Sequence, residues 1–166
     1  MSAKTNRSIH LNGEISSESY DAFAKRLSRL EREGGGPVTF HLFSEGGSAH
    51  AALAYAGRMR SSPCQIRVHA YGLVASAAVL LLAAGDSRVM ASEAWVMVHE
   101  DSGEISGSVK DLEKASKHMR RLEVQWAQLL AGLTTASYDT WVKLHADETF
   151  LTAKECLALG LIDKVV

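Results

Sequence analysis

A serine that attacks a carbonyl needs surroundings that favour negative charge, a base to take its proton, and a donor to hold the resulting oxyanion. Three places in the chain offer these parts. Ser76 follows a strand-like run and Gly72 and opens the apolar stretch to Ala84. It therefore stands at a predicted helix N-terminus, where unpaired backbone N–H groups and the helix dipole favour developing negative charge. Glu45-Gly46-Gly47-Ser48 comes directly after another predicted strand. Paired glycines there let the backbone approach a substrate closely and offer an N–H to a carbonyl oxygen. His99 ends the apolar run Trp95-Val96-Met97-Val98 and faces a polar stretch, a fitting place for a general base. Each part alone has a plainer explanation: a serine that caps a helix, a strand-to-helix turn, a solvent-facing histidine. His10, His41, His50, His69, His118 and His145 stand in no comparable setting.

The pattern of apolar residues predicts the elements that would hold these parts. Ser8 to Leu11 reads as a first strand, stopped by the turn dipeptide Asn12-Gly13. From Ser17 to Glu33, residues Tyr20, Phe23, Ala24, Leu27 and Leu30 recur at helical spacing until Gly34-Gly35-Gly36-Pro37 ends the helix. Val38 to Phe43 is a strand running into the glycine turn, and Ala49 to Met59 is a helix. Gln65 to Tyr71 is a strand, Gly72 a sharp turn, and Ser76 to Ala84 a helix apolar enough to be buried. Short strands follow at Arg88 to Met90 and Trp95 to His99, then a polar loop from Asp101 to Ser106 that is expected to be mobile. The long helix from Ser108 to about Leu133 carries Leu112, Ala115, Met119, Leu122, Trp126 and Leu129 on one stripe. Lys114, Lys117, Arg120 and Arg121 lie off that stripe. A helix from Ala153 to Leu159, then Gly160 and a strand from Leu161 to Val165, close the chain. Strands alternating with helices predict an α/β domain with a mainly parallel sheet.

The chain of 166 residues, 46% hydrophobic and 22% charged, fits one globular domain over residues 1–166. With 18 basic and 19 acidic residues it has no general field for gripping nucleic acid or an anionic membrane. Cys64 and Cys156 lack the spacing of a zinc site or a disulfide framework and read as small buried apolar residues. No run resembles a secretion signal or a membrane span, so a soluble cytoplasmic protein is expected. Nothing in the pattern calls for a metal or a cofactor.

The order of the three parts is informative. From Phe43 to Val166 the chain resembles the Clp protease proteolytic subunit family. Its members carry a strand, a Gly-Gly turn, a helix, a strand, a nucleophilic serine at a helix start, and a histidine after a strand of the form Val-Met-Ile-His. Here those pieces stand as Phe43-Ser44-Glu45-Gly46-Gly47-Ser48, Tyr71-Gly72-Leu73-Val74-Ala75-Ser76-Ala77 and Val96-Met97-Val98-His99. Phe150-Leu151-Thr152-Ala153-Lys154-Glu155, continuing to Leu159-Gly160-Leu161-Ile162-Asp163, is similar to the family's closing helix and strand. Ile9-His10-Leu11-Asn12-Gly13-Glu14-Ile15 looks like its first strand. The resemblance implies a ClpP/crotonase-like fold with a protruding long helix. It implies Ser76 as nucleophile, His99 as general base, and the N–H groups of Gly47 and Ala77 as oxyanion donors. Gly46 and Ser48 shape the substrate-binding turn.

Where the family usually has an aspartate as third triad member, this chain has Glu148, with Asp147 beside it as the alternative. Either carboxylate can orient the histidine and stabilise its imidazolium. Glu45 replaces the family's proline in the glycine turn, and Glu100-Asp101 replaces its usual Gln-Pro. The resemblance implies a heptameric ring, with two rings stacked through the long helix, that hydrolyses peptides or unfolded proteins in its chamber. Because Arg7 already begins the first strand, little precedes it of the segment that in the family helps dock an AAA+ unfoldase, and coupling to such a partner stays open. Members with short N-termini also occur in phage genomes. Two rivals remain: an inactive ring subunit that binds peptides or partners, and a crotonase-type enzyme acting on acyl-CoA thioesters.

Overall fold

The computed structural model describes residues 7–100 and 106–166. Most of the polar loop expected from Asp101 to Ser106 therefore lies outside the described residues. The elements run β1 (Ser8–Asn12), α1 (Ser17–Glu33), β2 (Val38–Ser44), α2 (Ala49–Arg60), β3 (Ile66–Ala75), α3 (Ala78–Ala83), β4 (Ser87–Met90) and β5 (Trp95–Met97). They continue with α4 (Val109–Leu133), α5 (Tyr138–Ala146), β6 (Phe150–Thr152), α6 (Ala153–Ala158) and β7 (Lys164–Val165). The strands order as β1-β2-β3-β4-β7, with β5 also on β3 and β6 on β5. Every pairing is parallel except β5 with β6. This is the expected α/β architecture, a mainly parallel sheet with flanking helices.

Two departures from the sequence reading shape the site. The chain does not leave the sheet at Gly72 but continues as β3 to Ala75. The first half of β3 pairs with β4 and its last three residues pair with β5, so its hydrogen bonding resumes on a new partner. Gly72 sits at that changeover with φ 56, and the register against β2 shifts there. Only glycine adopts this backbone at no steric cost, which makes it a kink within a strand rather than a strand end. The apolar helix also starts later than expected, at Ala78. Val79, Leu80, Leu81 and Leu82 are all fully buried, each contributing about 1.5–3 kcal/mol. They anchor α3 in the core beneath the sheet's end.

The long helix α4 opens with a capping box on Ser108. Its buried residues are Leu122, Ala127 and Leu130, so its N-terminal half protrudes. α5 lies outside the elements that the sequence pattern predicts; it is capped by Ser137 and anchored by the fully buried Trp141, whose indole donates to Thr134 Oγ1 at 2.9 Å. Cys156 is buried as expected, and burial pushes its thiol up to about 12. Among the described residues, no helix is long and apolar enough to cross a membrane.

Candidate active site

Ser76 is the hinge between β3 and α3. Its N–H donates to the carbonyl of Met97 on β5 at 2.8 Å, and its carbonyl accepts from Val79 N–H at 3.0 Å. Between these two ties its φ is 54, a left-handed value rare outside glycine, which costs about 1–2 kcal/mol. The helix cap is Ala77, which makes no side-chain cap bond. The plain explanation of Ser76 as a capping serine therefore does not hold. Among the described residues its hydroxyl has no hydrogen-bond partner, and it faces a cavity of about 130 Å³ that His99 also lines.

The glycine turn packs directly on this hinge. A Cβ on Gly46, whose φ is 102, would fall 2.7 Å from Ser76 Cβ and 2.8 Å from the Ala75 carbonyl oxygen. A Cβ on Gly47, at φ 139, would fall 2.4 Å from the Ile15 carbonyl oxygen. Backbone bonds fix the turn from the other side: Ile15 N–H donates to the Gly46 carbonyl and Ser48 N–H to the Ile15 carbonyl, both at 2.8 Å. Gly46 N–H donates to the buried Ser44 Oγ at 3.0 Å. Ser48 Oγ accepts from Ala51 N–H and caps α2. The N–H groups of Gly47 and Ala77 donate to no described residue.

His99 lies two residues past β5. Its Nδ1 is 2.6 Å from the carbonyl oxygen of Glu100. A carbonyl only accepts, so Nδ1 carries the proton and Nε2 is left with its lone pair. Ser76 and His99 share the cavity, but no hydrogen bond joins them in this conformation. Glu148 and Asp147 are exposed at the C-terminus of α5, and neither carboxylate bonds to His99. The antiparallel ladder nevertheless runs toward Glu148. Met97 pairs with Phe150, and Val98 N–H donates to the Thr149 carbonyl at 3.0 Å. One further step of that register would set His99 opposite Glu148, but the chain turns away there at φ 47.

The far wall of the cavity is formed by α4 and α5, including Trp126, Tyr138, Val142 and His145. His145 has no setting in the sequence pattern because its helix, α5, lies outside the predicted elements. The spacing of Tyr138, Trp141, Val142 and His145, at i, i+3, i+4 and i+7 behind the capping Ser137, is the signal that would have found it. Among the described residues, no group of three or more His, Cys, Asp or Glu side chains is arranged to hold a metal ion.

A strained serine between strand and helix, a histidine on the same cavity and a glycine turn with an unused N–H are the features of a serine-hydrolase site on an α/β fold. The Clp protease family model matches residues 2–166, and the chain belongs to that family. It is similar to ATP-dependent Clp protease proteolytic subunit 2 of Corynebacterium diphtheriae, with 28% identity over 131 residues, 78% of this chain and 66% of that protein. The protein of the same name from Corynebacterium glutamicum is 29% identical over 131 residues, 78% of this chain and 65% of that protein. The chain thus spans just under two thirds of the length of these relatives. Its fold matches that of a ClpP1 point mutant from Listeria monocytogenes with a TM-score of 0.89 at 23% identity, covering 97% of this chain and 91% of that one. The fold is the ClpP fold, and the sequence relatives are Clp protease proteolytic subunits. The crotonase-type rival is set aside by the family match.

Proposed function

We propose that the chain is an active serine endopeptidase subunit that hydrolyses peptides or unfolded proteins inside a ring-shaped chamber. The observation that carries this reading is the backbone strain at Ser76, with its hydroxyl uncommitted on the cavity of His99. Strain of this kind survives only where the surroundings over-determine it, and it concentrates at catalytic turns. Ser76 Oγ attacks the scissile carbonyl while His99 Nε2 takes its proton. The oxyanion accepts from Gly47 and Ala77 N–H groups, and the imidazolium then protonates the leaving amine. Water attacks the acyl-serine by the same route in reverse. Glu148 serves as the third member, supported by the register that runs from Met97–Phe150 toward His99. Closing that gap requires the His99 ring to exchange the Glu100 carbonyl for a carboxylate.

Assembly into a heptameric ring, single or stacked, and a soluble cytoplasmic setting accompany this reading, and it involves neither nucleic acid nor membrane. A second reading, the inactive ring subunit, is favoured by one observation: His99 Nδ1 already bonds to a backbone carbonyl, and the ring does not reach Ser76. One experiment separates them. A fluorophosphonate probe should add one mass equivalent to the wild type and none to Ser76→Ala, with native mass unchanged. Absence of labelling in the wild type, together with no cleavage of unstructured peptides, would sink the peptidase reading.

A further inference from the structure

The cavity beside Ser76 has chemistry that the triad does not use. Its volume of about 130 Å³ approaches that of a cavity able to hold one ring-sized group. Val124, Trp126 and Val142 supply apolar surface. Glu100 and Glu123 are the acidic groups on its lining, and the other titratable groups there are His99, His145 and Tyr138. Neither lysine nor arginine lines it.

We propose that this cavity is a specificity pocket for a lysine or arginine side chain beside the scissile bond, with Glu123 as the specificity-determining residue. The inference rests on the peptidase reading above. Lysine and arginine bury an apolar stem while their charged head seeks a polar or anionic partner. The valines and Trp126 suit the stem, and an aromatic wall also tolerates a cation. Two carboxylates favour a cationic head and oppose an acidic side chain, so selectivity comes from attraction and rejection together. Glu123, on α4, is the cleaner determinant, because the backbone of Glu100 also holds His99.

The test is a set of internally quenched peptides on one scaffold with Lys, Arg, Leu or Glu on either side of the cleavable bond. Cleavage positions are read by mass spectrometry, and fluorophosphonate labelling of Ser76 is followed in parallel. Cuts next to Lys and Arg should dominate. The Lys-to-Leu ratio of kcat/KM should fall about fivefold in Glu123→Gln, the size of a partly exposed ion pair. Glu123→Lys should shift preference toward the Glu peptide. In the wild type, raising ionic strength should lower the same ratio, a readout that needs no folded variant. Labelling of Ser76 with equal or better cleavage next to Leu, or a ratio that ignores salt, would overturn the pocket and leave the peptidase standing. Failure of both labelling and cleavage would overturn both.

Discussion

Holding Ser76 at φ 54 costs about 1–2 kcal/mol, and the side chain recovers nothing by capping α3. A residue kept at such a cost without a structural return has a stability–function signature. Ser76→Gly should be more stable than Ser76→Ala by about 1 kcal/mol, because glycine relieves the left-handed strain while losing some of that gain to unfolded-state entropy. Both variants should fail to label with the fluorophosphonate; denaturant titration of the two side by side checks the ordering. The third triad member is tested by Glu148→Ala against Asp147→Ala. Loss of an orienting carboxylate costs up to about 10⁴ in kcat, so Glu148→Ala should fall by about 10²–10⁴ and Asp147→Ala by little. The reverse pattern would move the role to Asp147. The serine, the histidine and the glycine pair were legible because each requires its residue type at its position: a hydroxyl, an imidazole, and the absence of a Cβ where one would collide with Ser76 or Ile15. His145 and Val142 were not, because a side chain joins a cavity through the packing of its helix, which no single residue announces.

At the scale of elements, β1, β2 and β3 line up His10, His41 and His69 in register across three parallel strands. The rings of His10 and His41 stack at 4.4 Å, and His41 meets His69 edge-on at 5.6 Å. Burial first, then the neighbouring His10 and His69, hold His41 below its ordinary value, and burial with Arg67 does the same for His69. The unfolded chain therefore binds more protons than the fold in this window. The stability due to neutral His41 and His69 is complete above about pH 6.5 and is lost as pH falls through their lowered folded values. Unfolding free energy from urea titrations should decline from pH 7 to 5, and His41→Asn should flatten that decline. Asp163, held low by Arg88, and Glu31, held low by Arg58, lose their contributions only further into acid. Long elements with clear periodicity, α1 and α4, were legible from spacing. The continuation of β3 past Gly72 was not, because it depends on β5 arriving as a second partner from 22 residues further along, a tertiary fact that local sequence does not carry.

For the molecule as a whole, the question is what covers the protruding half of α4. None of its residues from Val109 to Arg121 is buried in the single chain, and Val109 and Leu112 stand 73% and 41% exposed. An apolar residue on a projecting helix is stabilised when another surface covers it, and the basic Lys114, Lys117 and Arg120 nearby would then lie at the rim of the contact. A second patch, Phe43, Tyr71, Trp95 and Phe150, lies exposed on β2, β3, β5 and β6 at the end of the sheet. If rings stack through α4 and close through the sheet ends, the two patches answer to different assemblies. Leu112→Glu should leave a ring intact but halve the native mass of a stacked pair. Trp95→Glu should release subunits from the ring itself. Native mass spectrometry at matched concentrations distinguishes the two, and an unchanged mass for Leu112→Glu would remove α4 from any contact between rings.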